Sequence, residues 1–97
     1  MRWLEIIDVE PAGLKERLRI IEIFNAVQVP RSARLELYQK SFSNELSIHF
    51  QWESPTAPQG GRSPLGRELS RTFGDYGLVT HALWVEGNQF KPNALKH

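Results

Sequence analysis

The run from Leu46 to Glu53 alternates strictly between apolar and polar residues. The apolar set is Leu46, Ile48, Phe50 and Trp52, and the polar set is Ser47, His49, Gln51 and Glu53. Because successive side chains of a strand point to opposite faces of its sheet, the run predicts a strand with one buried and one polar face. The chain must therefore supply other strands beside it and an apolar cover for one side.

Three further segments have the composition of strands: Arg2–Glu10, Ala33–Phe42 and Leu78–Glu86. The first is rich in Ile, Leu, Val and Trp and stops at Pro11, which cannot donate to a strand ladder. The second is followed by the extended run Glu45–Glu53, which contains the alternation, and the two-residue link Ser43-Asn44 between them predicts an antiparallel hairpin. The third is apolar on both faces, so both of its faces need cover.

Residues 12–27 predict the first of two helices. Leu14, Leu18 and Ile21 fall at i, i+4 and i+7, and we expect them to form its core-facing stripe. Three further apolar residues lie well away from that stripe: Ile20, Ile23 and Phe24. They indicate deep burial, a local switch to strand, or a second covering surface such as a subunit contact or a pocket wall.

The second helix is predicted to begin at Ser63-Pro64, where a hydroxyl can cap free amides and proline suits the first helical position. Its core stripe consists of Leu65, Leu69 and Phe73. We expect Gly74 to end it in the left-handed conformation. The residues before it, 54–63, are rich in proline and glycine and predict a long loop.

The order strand-helix-strand-strand-helix-strand predicts a ferredoxin-like α+β fold, a four-stranded antiparallel sheet with two helices on one face. We expect one domain over residues 1–87 and a flexible C-terminal tail over 88–97. The helices would cover the apolar side of the alternating run, so its other side would lie open. In one register that open face carries Ser47, His49 and Gln51 beside Arg34, Glu36 and Tyr38.

The end of the alternating run, Trp52-Glu53-Ser54 before the second helix, resembles the antibiotic-biosynthesis-monooxygenase-like (ABM) family of dimeric α+β barrels. The resemblance implies a homodimer in which two sheets pack face to face. The haem-degrading branch of that family uses an asparagine on the first strand and a histidine at the end of the second helix. It also uses a tryptophan at the end of the third strand, which Trp52 matches, but this chain offers Ile7 and Asp8 on the first strand and no such histidine, so we expect no haem degradation. We also expect no other bound cofactor.

Composition narrows the remaining classes of protein. Ninety-seven residues with 40% hydrophobic and 24% charged content are typical of one globular domain, which would gain stability from pairing with a second copy. A net charge of +1 gives no field that would attract nucleic acid. The sequence shows no cysteine, no apolar run near the ~18 residues of a membrane span and no export signal, so we expect no membrane partner and a cytoplasmic location.

His49 is the first candidate for catalysis, because an imidazole titrates near neutral pH and this one is predicted to lie on the open face. Beside it, Tyr38 and Gln51 could orient the oxygen atoms of a substrate. The alternative is that His49 is a hydrogen-bonded interface residue. His81 has little polar company in the sequence, which favours a structural role, and the histidine spacing predicts no metal site.

Three tryptophans and one arginine are candidates for ligand binding. Trp3, Trp52 and Trp84 could line a cavity for a flat aromatic molecule, since an indole offers a large apolar area and an N–H donor. The alternative is that all three fill the core. Arg62 precedes the second helix, whose free amides favour a phosphate or carboxylate.

Three functions are compatible with these features. The first is a homodimeric accessory or small-ligand-binding domain, and the second is a cofactor-independent monooxygenase that acts on a small aromatic substrate. In the second, His49 would be the base and Trp52 would wall the pocket. The third, RNA recognition, lacks the basic-aromatic signature on the third strand. We favour the first, because the sequence offers no specific catalytic constellation.

Overall fold

The strands and helices follow one another in the predicted order within residues 1–87, which the computed structural model describes. They are β1 (Arg2–Pro11), α1 (Leu14–Ala26), β2 (Arg34–Gln39), β3 (Leu46–Glu53), α2 (Pro64–Phe73) and β4 (Gly77–Val85). A short 3-10 turn at Gln59–Gly61 lies in the loop before α2. The predicted tail, 88–97, lies outside the described residues.

The four strands form one antiparallel sheet in the order β2-β3-β1-β4. Each helix connects two strands that have one other strand between them, and right-handed connections of this kind place both helices on the same face. This is the ferredoxin-like arrangement, so the predicted fold is confirmed.

The core lies between the sheet and the helices. In it, β1 buries Ile7 and Val9, and β3 buries Leu46 and Ile48, as the alternation of β3 predicts. The helices contribute Ile20, Leu69 and Phe73. Burying one such side chain stabilises the folded state by about 1.5–3 kcal/mol. The apolar contacts among these residues therefore hold the helices on the sheet.

Helix α1 packs on a different side from the predicted one. Leu14 and Leu18 are 68% and 55% exposed, whereas Ile20 is fully buried and Ile23 and Phe24 pack against the core. The predicted stripe was wrong for Leu14 and Leu18, whereas its third member, Ile21, does pack against the core. The error arose because the apolar residues of α1 cover more than one side of the helix. The bulkier apolar group, in the C-terminal half, decides which side faces the sheet.

Two turn predictions were also wrong. The hairpin link runs from Lys40 to Glu45 instead of over two residues, and it contains Phe42 at a φ of 57°. The N–H of Lys40 donates to the carbonyl oxygen of Glu45 at 3.0 Å and closes the link. Gly74 ends α2 in the right-handed conformation, at a φ of −59°, and its N–H donates to the carbonyl oxygen of Ser70.

The side of α1 that faces the sheet can be checked with a pair of alanine substitutions. Ile20→Ala should lower the free energy of unfolding by about 2–5 kcal/mol, because it leaves a cavity in the core. Leu18→Ala, two residues earlier on the exposed side, should change it by less than about 1 kcal/mol. Urea unfolding of both variants measures the difference. Equal losses would contradict the packing of Ile20, and not Leu18, against the sheet.

Candidate functional site

Cross-strand pairing arranges the open face of the sheet in rows, each with one side chain from each strand. The first row is Arg34, Gln51, Leu4 and Trp84; the second is Glu36, His49, Ile6 and Ala82; the third is Tyr38, Ser47, Asp8 and Thr80. Strand alternation directs all of these side chains away from the helices.

The open face has two halves that differ in polarity. The half formed by β2 and β3 is polar, as the sequence predicts. The half formed by β1 and β4 carries Leu4, Ile6, Leu78, Ala82 and Trp84. Leu78 is 75% exposed and Trp84 is 60% exposed, which is unusual for side chains of this size. The open face is therefore more apolar than the sequence analysis expected.

A cleft of about 450 Å³ lies at one end of the sheet, where β1 begins and β3 and β4 end. This volume is in the range of small-molecule sites. Its lining consists of Arg2, Trp3, Leu4, Ser32, Arg34, Gln51, Trp52, Glu53, Trp84, Val85 and Glu86. The cleft thus includes the whole first row of the open face.

All three tryptophans line this cleft, but their indoles project differently. Trp84 projects onto the open face, whereas Trp3 and Trp52 share the parity of the residues that face the helices. The indole N–H of Trp3 donates to the carbonyl oxygen of Ser54 at 3.1 Å, and the ring of Trp52 stacks on Phe50 with a centroid distance of 5.0 Å. Trp84 is therefore the indole most available to a ligand.

Two arginines line the cleft in different electrostatic settings. The Nε of Arg2 lies 3.3 Å from Glu53 and 3.8 Å from Glu86, so two carboxylates neutralise this guanidinium. Arg34 makes one ion pair, at 3.3 Å to Glu36, through a single terminal nitrogen. Arg34 therefore has fewer competing carboxylates beside it than Arg2, and it keeps N–H donors for a ligand.

The predicted catalytic residues lie together on the open face. The rings of Tyr38 and His49 are 4.6 Å apart at 46°, and the Nε2 of His49 lies 3.1 Å from the hydroxyl oxygen of Ser47. Gln51 is two residues further along the same strand and lines the cleft, whereas His49 and Tyr38 are not among its lining residues.

Arg62 lies apart from the cleft, in the loop that leads into α2. Two N–H donors that an anion at this helix start could use are already engaged. The N–H of Gly66 donates to the Ser63 hydroxyl at 2.9 Å, and the N–H of Ser63 donates to Glu5 at 3.2 Å. The start of α2 is thus occupied by a carboxylate from the chain itself.

The sequence analysis missed a buried polar network centred on Glu5. The Glu5 side chain is fully buried, and its second oxygen contacts the Nε2 of His81. The Nδ1 of His81 lies 2.9 Å from the hydroxyl oxygen of Ser70 on α2. His81 therefore has two polar partners, Glu5 and Ser70, contrary to the expectation from its neighbours in sequence.

One signal in the sequence pointed to this network. Glu5 has the same parity in β1 as Trp3, Ile7 and Val9, so the pattern that buries those residues also buries its carboxylate. The partners of the Glu5 carboxylate could not be identified from the sequence. Pairing of Glu5 with His81 depends on the register between β1 and β4, which are far apart in sequence.

The hydrogen-bonded sequence Ser70, His81, Glu5 contains the three residue types of an acyl-transfer triad. The side chains of Glu5 and His81 are, however, 0% and 2% exposed, and Ser70 does not line the cleft. A substrate could not reach the imidazole. We therefore interpret the network as the attachment of α2 to the sheet.

A second apolar surface lies on α1, away from the open face. It is a groove that includes Leu14, Leu18 and Tyr76. A hydrogen bond to Tyr76, followed by one to Glu22, raises the pKa of the Arg19 guanidinium above its usual range.

The described residues were also compared with the requirements of a metal site and of a membrane-spanning helix. Within residues 1–87, no three His, Asp or Glu side chains are grouped so that they could hold a metal ion. Over the same part of the chain, neither helix is long and apolar enough to cross a membrane.

Comparisons with known proteins identify the fold but no family. No family model matches the sequence, and no curated protein matches it. The chain is similar to a solved structure, that of Rv0793 from Mycobacterium tuberculosis, with a TM-score of 0.61 and 18% identity over 89% of this chain and 95% of that one. At this identity the likeness shows the ferredoxin-like fold alone.

Close packing of Gly66 against the Glu5 network generates a stability prediction. A Cβ at Gly66 would overlap the Glu5 carboxylate, so Gly66→Ala should lower the free energy of unfolding by about 1–3 kcal/mol. Without that overlap, replacing a helical glycine by alanine gains about 0.5–1 kcal/mol, so the sign of the change is informative.

The measurement is urea unfolding beside a matched variant. Gly87→Ala places its Cβ in open space and should change stability little. A Gly66→Ala protein as stable as the parent would show that the carboxylate does not occupy this position.

Proposed function

We propose that the protein is a homodimeric α+β barrel of the ABM type and that it binds a small aromatic molecule in the cleft. The observation that carries the proposal is the exposed indole of Trp84, which lies beside Leu4 in a cleft large enough for such a ligand. The likeness to Rv0793 supports the fold on which the proposal depends.

Dimerisation would cover the part of the apolar half that lies outside the cleft. Leu78 and Ala82 stand on β4 in that part, and Ile6 lies beside Ala82 on β1, whereas Leu4 and Trp84 lie at the cleft end and stay available to a ligand. Apolar area of this extent is costly to leave in water, at roughly 25 cal/mol per Å². A second copy, related by a twofold axis, would present the same apolar residues in return.

A charge placed in this face should dissociate the dimer. We expect the parent protein to show twice its chain mass of 11.2 kDa in sedimentation equilibrium at micromolar concentration. Ala82→Glu should shift it to the monomer, because two carboxylates would be buried against apolar side chains. Leu18→Glu, on the exposed side of α1, should leave the mass unchanged. A monomeric parent protein would refute the dimer.

The cleft suits a flat apolar ligand because it combines one aromatic wall with hydrogen-bonding groups. The Trp84 ring and the Leu4 side chain are cross-strand neighbours and form a continuous apolar surface. Stacking of a ligand ring on an indole adds about 0.5–1.5 kcal/mol beyond its area burial. Gln51 and Arg34 continue the same row and could orient polar substituents.

Binding of a neutral aromatic probe tests this site. Calorimetry with 2-naphthylacetamide should detect binding to the parent protein, and Trp84→Ala should weaken it about fivefold or more through the lost stacking. Phe42→Ala removes an even more exposed ring from the distant hairpin and should have no effect. If Trp84→Ala binds the probe as tightly as the parent, the cleft is not the site.

A monooxygenase activity is the second candidate function. It is supported by the position of Gln51 in the cleft, two residues from His49 on the same face. The imidazole of His49 lies against Tyr38 and Ser47 and does not line the cleft, so it would have to turn toward the cleft to act as a base on a ligand there. We favour binding because it requires no such rearrangement.

A further inference from the structure

We propose that the ligand of the cleft is an aromatic acid, with its ring on Leu4 and Trp84 and its carboxylate on Arg34 and Gln51. This inference rests on the proposed function and adds the chemical class of the ligand. It follows from the order of side chains along the first row of the open face, which changes from cationic to amide to aliphatic to aromatic.

The spacing of this row sets the dimensions of the ligand. Neighbouring strands lie about 4.8 Å apart, so the strand of Arg34 is about 10 Å from that of Leu4, with the strand of Gln51 between them. The arginine side chain spans much of this distance when it extends along the face. A ring that lies on Leu4 and Trp84 and carries a carboxylate on a short arm toward β2 can therefore meet the extended guanidinium of Arg34.

Arg34 is suited to a carboxylate because its existing ion pair is weak. Its partner Glu36 lies two residues away on the same strand, and the Arg34 side chain is 69% exposed. Exposed pairs of this kind contribute about 0–1 kcal/mol, so a ligand carboxylate can compete for the guanidinium. A guanidinium also presents two parallel N–H donors that match a carboxylate, which a lysine cannot do.

Gln51 adds a donor at the right position. Within residues 1–87 its side-chain amide makes no hydrogen bond, and it stands directly opposite Arg34 across the strand pair. An amide N–H there can bind the second carboxylate oxygen. Arg2, at the same end of the sheet, is held by Glu53 and Glu86 and is less able to serve.

The test compares two probes of the same shape, 2-naphthylacetate and 2-naphthylacetamide. The parent protein should bind the acid about tenfold more tightly than the amide, because hydrogen bonds to a charged group are stronger than neutral ones. Arg34→Gln should abolish that preference by weakening only the acid. Arg31→Gln removes a nearby exposed arginine that does not line the cleft, and it should preserve the preference.

The outcomes separate this inference from the proposed function. If the amide binds in a Trp84-dependent way and the acid binds no more tightly, the aromatic site stands and the acid specificity is refuted. If Arg34→Gln weakens the binding of both probes equally, Arg34 does not bind the carboxylate and the inference is again refuted. If neither probe binds the parent protein, the proposed function and this inference both fail.

Discussion

The buried carboxylate of Glu5 connects the sheet to helix α2. It lies in β1, accepts the N–H of Ser63 at the start of α2 and contacts His81 of β4. A carboxylate withdrawn from water is tolerated only when its oxygens have partners, so the folded state requires these groups to meet. Gly66 leaves the space that the carboxylate fills. The network therefore specifies one position of α2 along the strands, which apolar contacts alone would specify less sharply.

Because both helices lie on one face of the sheet, the other face is left without a covering element. On β2 and β3 the exposed side chains are polar and compatible with water. On β1 and β4 they include Leu4, Ile6 and Trp84, so the centre and one edge of the sheet present an apolar strip. A surface divided in this manner is complementary to an amphipathic molecule or to a second copy of the same strip, and it is poorly suited to remain in water.

The sequence predicts the fold well because the fold depends on local patterns. Strict alternation in β3 and the order of the elements are enough for the sheet and its open face. The side of α1 that packs was not predictable from spacing alone, since Leu18 and Ile20 are both apolar and only tertiary contact distinguishes them. The cleft and the Glu5 network depend on which residues of distant strands lie opposite each other, and that register is set by the whole sheet.

The Glu5 network and the cleft use the same strand pair. Glu5 is the cross-strand partner of Leu83, and the adjacent pair, Leu4 and Trp84, forms the apolar wall of the cleft on the opposite face. A slip of one residue in β1 would exchange its faces, exposing the carboxylate of Glu5 and burying Leu4. The partners that hold Glu5 inside therefore also hold Leu4 outside. The polar network in the core thus determines the position of the apolar surface in the cleft.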